Sequence, residues 1–332
     1  MDVYLNWAIL LFEVVLAVVC CLGNALVIWA VWTCRALRQP ALCFIAALAV
    51  ADFLVGSVTI PLEGVVGFHF NTSFYGCLFM CCVFTLVEVA SVLLLLAIAV
   101  DRYLRVLIPL LYKSTVTQKR SWIVVALCWF TAAVLSFIPM FGWNNQKTLN
   151  GTTSGNSIIK CSFFTVIPTS YLVNFIFLSC FLPPLAIMIG LYSYIFLTTR
   201  RQLRAQIAND STINYHREHK LASSLALVLV LFIVCWLPLF FMVTIRFYCK
   251  NINVTSSVID VGVLLSHCNS AINPIVYAFK IPKIKETFIK LWLRLSQKQS
   301  KPNDAIKNEN SNKNNPEKNT AVTSSTVSES VV

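Results

Sequence analysis

Long apolar runs separated by short polar gaps set the pattern of this chain. Seven stretches, at about 8–32, 42–66, 76–100, 122–142, 171–198, 221–245 and 257–279, are each long enough to cross a bilayer. A helix needs roughly 20 apolar residues for that crossing. The pattern predicts an all-α membrane protein, a seven-transmembrane helix bundle. Composition supports it: 58% of the 332 residues are apolar and 12% are charged. Soluble domains carry about 45–50% apolar and about 25% charged residues. No soluble core could hide so much apolar surface, so part of the solvent is lipid. The first run follows six residues without a positive charge and is too long for a signal-peptide core. It is therefore read as a retained span.

Charge placement gives the orientation. The formal net charge of +12 would suit a nucleic-acid partner, but nearly all charges lie in the gaps between apolar runs, which removes that class. Of the 26 Lys and Arg, all but Lys147, Lys160, Arg246 and Lys250 fall on one side. The positive-inside rule makes that side cytoplasmic, with the N-terminus outside and the C-terminus inside, as in a plasma-membrane protein. Three sequons, at Asn71, Asn150 and Asn253, fall on the outer side, where glycosylation occurs. A fourth, at Asn209, falls inside and should stay unmodified.

The chain divides into a bundle over 1–297 and a tail over 298–332. At the end of the bundle, 281–295 alternates Lys283, Lys285, Lys290 and Arg294 with Ile284, Phe288, Ile289 and Trp292, a basic amphipathic helix suited to membrane lipid. The tail is rich in Lys, Asn, Ser and Thr, a disorder-prone composition. Its end, Ser330-Val331-Val332, suits a PDZ groove, and its hydroxyl residues suit a receptor kinase and arrestin. The thirteen cysteines sit mostly inside apolar runs, where a thiol behaves as a small hydrophobe, and show no CxxC-type metal spacing.

Polar groups inside spans are costly and point to function. Asn24, Asp52, the Asp101-Arg102-Tyr103 triplet, Cys235-Trp236-Leu237-Pro238 and Asn273-Pro274-Ile275-Val276-Tyr277 occur in this order on spans one, two, three, six and seven. The set resembles the rhodopsin-like G-protein-coupled receptors over about residues 8–295. The resemblance implies a switch in which Arg102 pairs with Glu218. Breaking that pair lets the sixth helix, kinked at Pro238, swing outward and admit a heterotrimeric G protein. It also implies an allosteric Na⁺ site at Asp52, Ser91, Asn269 and Asn273, and a Cys77–Cys161 disulfide. No other cofactor is implied.

The stretches beginning at Asp101, Pro139, Thr199, Ser223 and Leu265 look like the adenosine receptors. That likeness implies a Glu13–His267 pair beside the ribose, with Phe163 stacking on adenine. Trp236 and Leu239 would floor the pocket, and Ser266 would reach the ribose. Phe84, Thr85 and Val263 would complete the walls. The Leu104-Arg105-Val106 continuation resembles the subtypes that act through Gi and lower cAMP.

The departures from that family are informative. Val243 stands where an asparagine bonds the adenine edge, and Glu88 stands where a threonine contacts the ribose. Glu63 takes a usually small position, Phe164 replaces an acidic residue, and Phe240 replaces His or Ser. Glu13, Glu63, Glu88 and Asp260 place several carboxylates in the outer half, so a cationic amine is the alternative ligand to adenosine or a related purine. A transporter would show internal repeats or interrupted helices, which are absent from the sequence. An enzyme would need a catalytic constellation. The four histidines (His69, His216, His219 and His267) supply none.

Overall fold

The computed structural model describes residues 2–33, 40–67, 70–147, 158–206, 213–249, 251–252 and 254–280, together with the isolated positions 285, 286, 289 and 293. Over 213–226 only the backbone is described. Most of the expected amphipathic helix at 281–295, the tail at 298–332 and the sequons at Asn150 and Asn253 lie outside the described residues. Residues Phe288–Val332 form a separate unit, of which Ile289 and Leu293 are described, both exposed.

Among the described residues, seven long helices make the bundle. The first is Asp2–Thr33. The second runs Pro40–Leu54, through a π-turn at Val55–Thr59, into Ile60–Gly67. The third is Phe74–Leu107 and the fourth Gln118–Ser136. The fifth opens as a π-helix over Tyr171–Phe181 and continues through Leu182–Gln206. The sixth is Ile213–Tyr248 and the seventh Ser256–Lys280. The first six contain stretches long and apolar enough to cross a membrane. The seventh is long enough but more polar, because it carries His267, Asn269, Ser270 and Asn273. All four are buried in the bundle. Large apolar side chains such as Leu11, Leu22, Trp32, Phe130 and Phe241 face outward. In water that surface would be a liability; in lipid it costs nothing.

Prolines explain the wide turns. Pro61 has no N–H, and its ring clashes with the carbonyl one turn back. The π-turn at Val55–Thr59 loosens the helix just ahead of it. Pro183 and Pro184 follow the π-helix at Tyr171–Phe181 in the same way; there the Leu182 N–H reaches back to the Phe177 carbonyl. Pro139 also shortens the fourth span. The helix ends at Ser136, short of the expected 142, passes into a 3₁₀ turn at Ile138–Phe141 and stops at Gly142 with φ 121°. The third and sixth helices run past the bilayer-length runs read from sequence, to Leu107 and from Ile213 respectively.

The third helix is central, packing against the second, fourth, fifth and sixth. The first helix joins the second and seventh, and the sixth joins the fifth and seventh. Small residues set two of these approaches. A Cβ on Gly23 would lie 3.0 Å from Pro274 of the seventh helix. A Cβ on Gly56 would lie 2.7 Å from both the Ala17 carbonyl oxygen and the Cys20 Cβ of the first helix. Next to Gly23, buried Asn24 donates to the Cys20 carbonyl at 3.0 Å and to the Ser270 carbonyl at 3.1 Å, tying the first helix to the seventh.

Gly56→Ala should lower the melting temperature of the detergent-solubilised protein by several degrees, equivalent to about 1–3 kcal/mol of overpacking. Gly190→Ala is the control, since nothing lies within 4 Å of its added carbon. A Gly56→Ala protein that melts like the control would refute the close approach.

Candidate functional site

One end of the bundle is covalently fixed. Cys77, in the first turn of the third helix, is bonded to Cys161, with a Cα–Cα distance of 5.5 Å. Ser73 caps that helix by accepting from the Gly76 N–H at 3.2 Å. Two short strands meet beside the disulfide: β1 (Asn71–Thr72) pairs antiparallel with β2 (Ile159–Lys160), and the Cys161 N–H donates to the Phe70 carbonyl at 3.1 Å. Asn71 is exposed there. Phe163 and Phe164 follow in a short helical turn with ring centroids 5.8 Å apart, and the Arg246 guanidinium lies 4.7 Å from the Phe164 ring centroid. Cation–π attraction is the physical use of Phe164 at this position.

Below this cap lies a narrow, partly open cleft with about 20 Å³ of room for the centre of a water-sized sphere, lined by Glu88, Val92, Ile176, Phe181, Trp236 and Phe240. An aromatic stack forms one wall. Phe177 and Phe240 stack at 4.6 Å, Trp236 and Phe240 at 5.7 Å, and Phe181 and Phe232 at 5.3 Å. Phe240, which replaces a polar residue of the adenosine-receptor pattern, holds this stack together. Phe84 and Val243 are buried, while Leu239 and Val263 are half-buried. Two hydroxyls turn back to their own helices: Thr85 donates to the Cys81 carbonyl at 3.0 Å and Ser266 to the Val263 carbonyl at 2.7 Å. Their oxygens keep lone pairs to offer, but their protons are taken.

Three acid–base groups from three helices converge beside the cleft. Glu63 comes from the second helix, Glu88 from the third and His267 from the seventh. One donor atom of each lies within 4.8 Å of the other two. His267 is 2% exposed, and its Nε2 is 3.1 Å from Glu63 Oε2. This corrects the expected Glu13–His267 pair: Glu63 takes the imidazole. Glu13 lies within electrostatic reach of Glu63, His267 and Asp260 without closing on the ring. Glu63 reaches the histidine because the π-turn before it rotates this face of the second helix inward, a shift that no count along the sequence supplies. Asp260 is exposed on the seventh helix.

A second polar centre lies deeper. Asn273 donates to Asp52 Oδ2 at 2.8 Å, while Asp52 Oδ1 has no hydrogen-bond donor. Ser270 stands beside the same carboxylate. Ser91 and Asn269 are buried; the Ser91 hydroxyl donates to the Val87 carbonyl at 3.1 Å, and Asn269 Oδ1 is unpartnered.

At the opposite end from the disulfide, Arg102 is buried, and its Nε lies 3.9 Å from Asp101 Oδ2. Tyr112, in the short helix Pro109–Thr115, donates to Asp101 Oδ1 at 2.7 Å. Burial and the Asp101 carboxylate push its phenol above the ordinary range, so it stays a donor at physiological pH. Tyr103 meets Tyr194 of the fifth helix at 5.2 Å, edge to face. Tyr277 is buried, and Pro238 and Pro274 sit inside the sixth and seventh helices. The Glu218 side chain lies outside the described residues, so the expected Arg102–Glu218 pair has no geometry here.

Two comparisons bear on this arrangement. Residues 23–277 match the family model described as 7 transmembrane receptor (rhodopsin family). Adenosine receptor A3 of Ovis aries is 40% identical over 279 residues, covering 83% of this chain and 87% of that protein. Adenosine receptor A3 of Canis lupus familiaris is 39% identical over 282 residues, covering 84% and 89%. Adenosine receptor A3 of Bos taurus is 39% identical over 279 residues, covering 83% and 87%. The chain belongs to the adenosine receptor family of rhodopsin-like G-protein-coupled receptors. It is a multi-pass membrane protein of a receptor class, not of an enzyme class.

Within this receptor, sequence reasoning missed Tyr112, Ser270 and the Arg246–Phe164 contact. Tyr112 had a signal: Pro109, two residues after the third helix ends, starts a short helix that turns the chain back towards Asp101. Ser270 had one too, since it precedes Asn273 by one helical turn. The Arg246–Phe164 contact joins the sixth helix to a distant loop and had none.

Tyr112→Phe leaves Asp101 Oδ1 without its donor. Losing a hydrogen bond to a charged group costs about 1.5–3 kcal/mol. The purified receptor should therefore melt several degrees lower. An unchanged melting curve would show that this contact carries no weight.

Proposed function

We propose that this receptor binds a purine nucleoside in the cleft beside His267 and relays the event to a Gi-type heterotrimeric G protein, lowering cAMP. The observation that carries the reading is a buried polar column on the seventh helix. His267, Asn269, Ser270 and Asn273 lead from the cleft to Asp52 inside an otherwise apolar bundle. Polar groups at that depth are costly unless they serve function, and a column linking cleft to core can transmit a helix shift. The relatives' names favour a purine over an amine ligand. The resemblance of 104–106 to cyclase-inhibiting subtypes supports Gi.

The same reading places the disulfide end outside the cell and the Arg102 end in the cytoplasm, in a plasma membrane, with Asn71, Asn150 and Asn253 open to glycosylation. Ligand binding loosens Arg102 from Glu218 and moves the sixth helix about Pro238. The bundle over 1–297 does this work. The tail over 298–332 serves receptor kinase, arrestin and a PDZ partner, and the amphipathic segment at 281–295 rests on membrane lipid. Na⁺ fits the Asp52 centre, because Asp52 Oδ1 and Asn269 Oδ1 are buried oxygens without donors, and Ser91 and Asn273 complete an oxygen-rich set. Bound there, Na⁺ would neutralise Asp52 and favour the closed bundle.

Expressed in cells, the receptor should lower cAMP in response to adenosine or inosine. Val243→Asn restores the donor and acceptor that the adenine edge lacks. Two such bonds, each worth about 0.5–1.5 kcal/mol, predict a gain in adenosine potency of roughly five- to 150-fold. No response from either form would sink the nucleoside reading. For the ion, NaCl in place of choline chloride should raise the melting temperature of the ligand-free receptor, and Asp52→Asn should remove that rise. A sodium effect that survives the substitution would move the ion elsewhere.

A further inference from the structure

Glu63, Glu88 and His267 stand together beside the cleft. Their donor atoms lie within 4.8 Å of one another and come from three separate helices. The His267 side chain is 3% exposed, and neither ring nitrogen has a hydrogen-bond partner among the described residues. Glu63 Oε2 is also buried without a donor; its 3.1 Å approach to His267 Nε2 is not aligned as a hydrogen bond. No Lys or Arg among the described residues pairs with Glu63 or Glu88. With both carboxylates ionised and the imidazole neutral, the group would carry two negative charges in the space of one site. Ionised carboxylates removed from water cost several kcal/mol each, and a bound cation would offset that cost.

We propose that Glu63, Glu88 and His267 form a binding site for a divalent transition-metal cation of the Zn²⁺ class, reached through the cleft that Glu88 lines. A divalent ion cancels two carboxylates, which a single ammonium does not. An imidazole nitrogen with two carboxylate oxygens is a donor set that suits Zn²⁺. Ca²⁺ takes six to eight oxygen ligands, and Mg²⁺ keeps most of its waters. Tetrahedral Zn²⁺ at ~2.0–2.2 Å from each donor sets donors about 3.4 Å apart. Small rotations of two glutamate side chains cover the difference from the present spacing. Three protein ligands leave a fourth position open towards the cleft, for water or an anionic group of a ligand. The bound ion would tie the second, third and seventh helices together next to Trp236. The site stands independently of the nucleoside reading, because it rests on these three side chains alone.

The test uses the full chain carrying Cys249→Ser, which removes an exposed thiol that would compete for the metal. The protein is purified into zwitterionic lipid nanodiscs and studied without nucleoside. Zn²⁺ titrated calorimetrically should bind and raise the melting temperature, while Mg²⁺ and Ca²⁺ should not. Glu88→Gln and His267→Asn should each weaken this site at least tenfold while the protein still melts cooperatively. Should either variant fail to fold, Co²⁺ bound to the Cys249→Ser protein should give the intense visible absorption of a four-coordinate nitrogen–oxygen site. Zinc binding of equal strength and stoichiometry in both folded variants would overturn the proposal, since the ion would then sit elsewhere, for example at His69, His216 or His219. Absence of zinc binding, equal binding of Mg²⁺, a six-coordinate Co²⁺ spectrum, or stabilisation by protonated amines with Zn²⁺ inert would overturn it as well.

Discussion

Hydrocarbon around the bundle is the constraint from which the rest of this receptor follows. Lipid offers no hydrogen bonds, so each span must satisfy its backbone within itself, and only helices do so for single segments. Lipid also gives the helices no hydrophobic reason to associate. Association rests on close packing and on polar contacts between helices. The joints of the first helix show both: Gly23 on it and Gly56 on the second helix leave out atoms that would hold the helices apart, and Asn24 reaches the Ser270 carbonyl across the gap. The bundle is held by such local joints rather than by a core that excludes water.

The same constraint explains where function concentrates. A polar side chain in lipid is expensive, so the seventh helix turns its polar face inward. That face is what the second and third helices meet, at Glu63 and Glu88 near one end and at Asp52 further in. The two ends of the bundle differ in kind. One is locked by the Cys77–Cys161 bond and the β1–β2 pairing. The other is held by contacts that can break, such as the Tyr112–Asp101 hydrogen bond and the longer Arg102–Asp101 approach. The bundle therefore pairs a covalently braced end with an end held by weaker contacts.

The fold was legible because lipid imposes a length and a polarity on every span, and both are written residue by residue. Where the sequence misjudged, the cause was local geometry. The fourth helix stops early because Pro139 cannot continue its hydrogen bonding. The partner of His267 was assigned to Glu13 by resemblance, but the π-turn ahead of Pro61 presents Glu63 instead.

The sequence by itself determined the number of spans, the side that carries positive charge, the order of the polar motifs along the spans and a valine at position 243. These depend on residue type and order alone. Tertiary structure decided which carboxylate meets His267, that Phe164 serves Arg246, and that Tyr112 completes the Asp101 latch. Those pairings join residues far apart along the chain. They depend on helix rotation and on the extra residue in a wide turn, and a one-dimensional pattern carries neither.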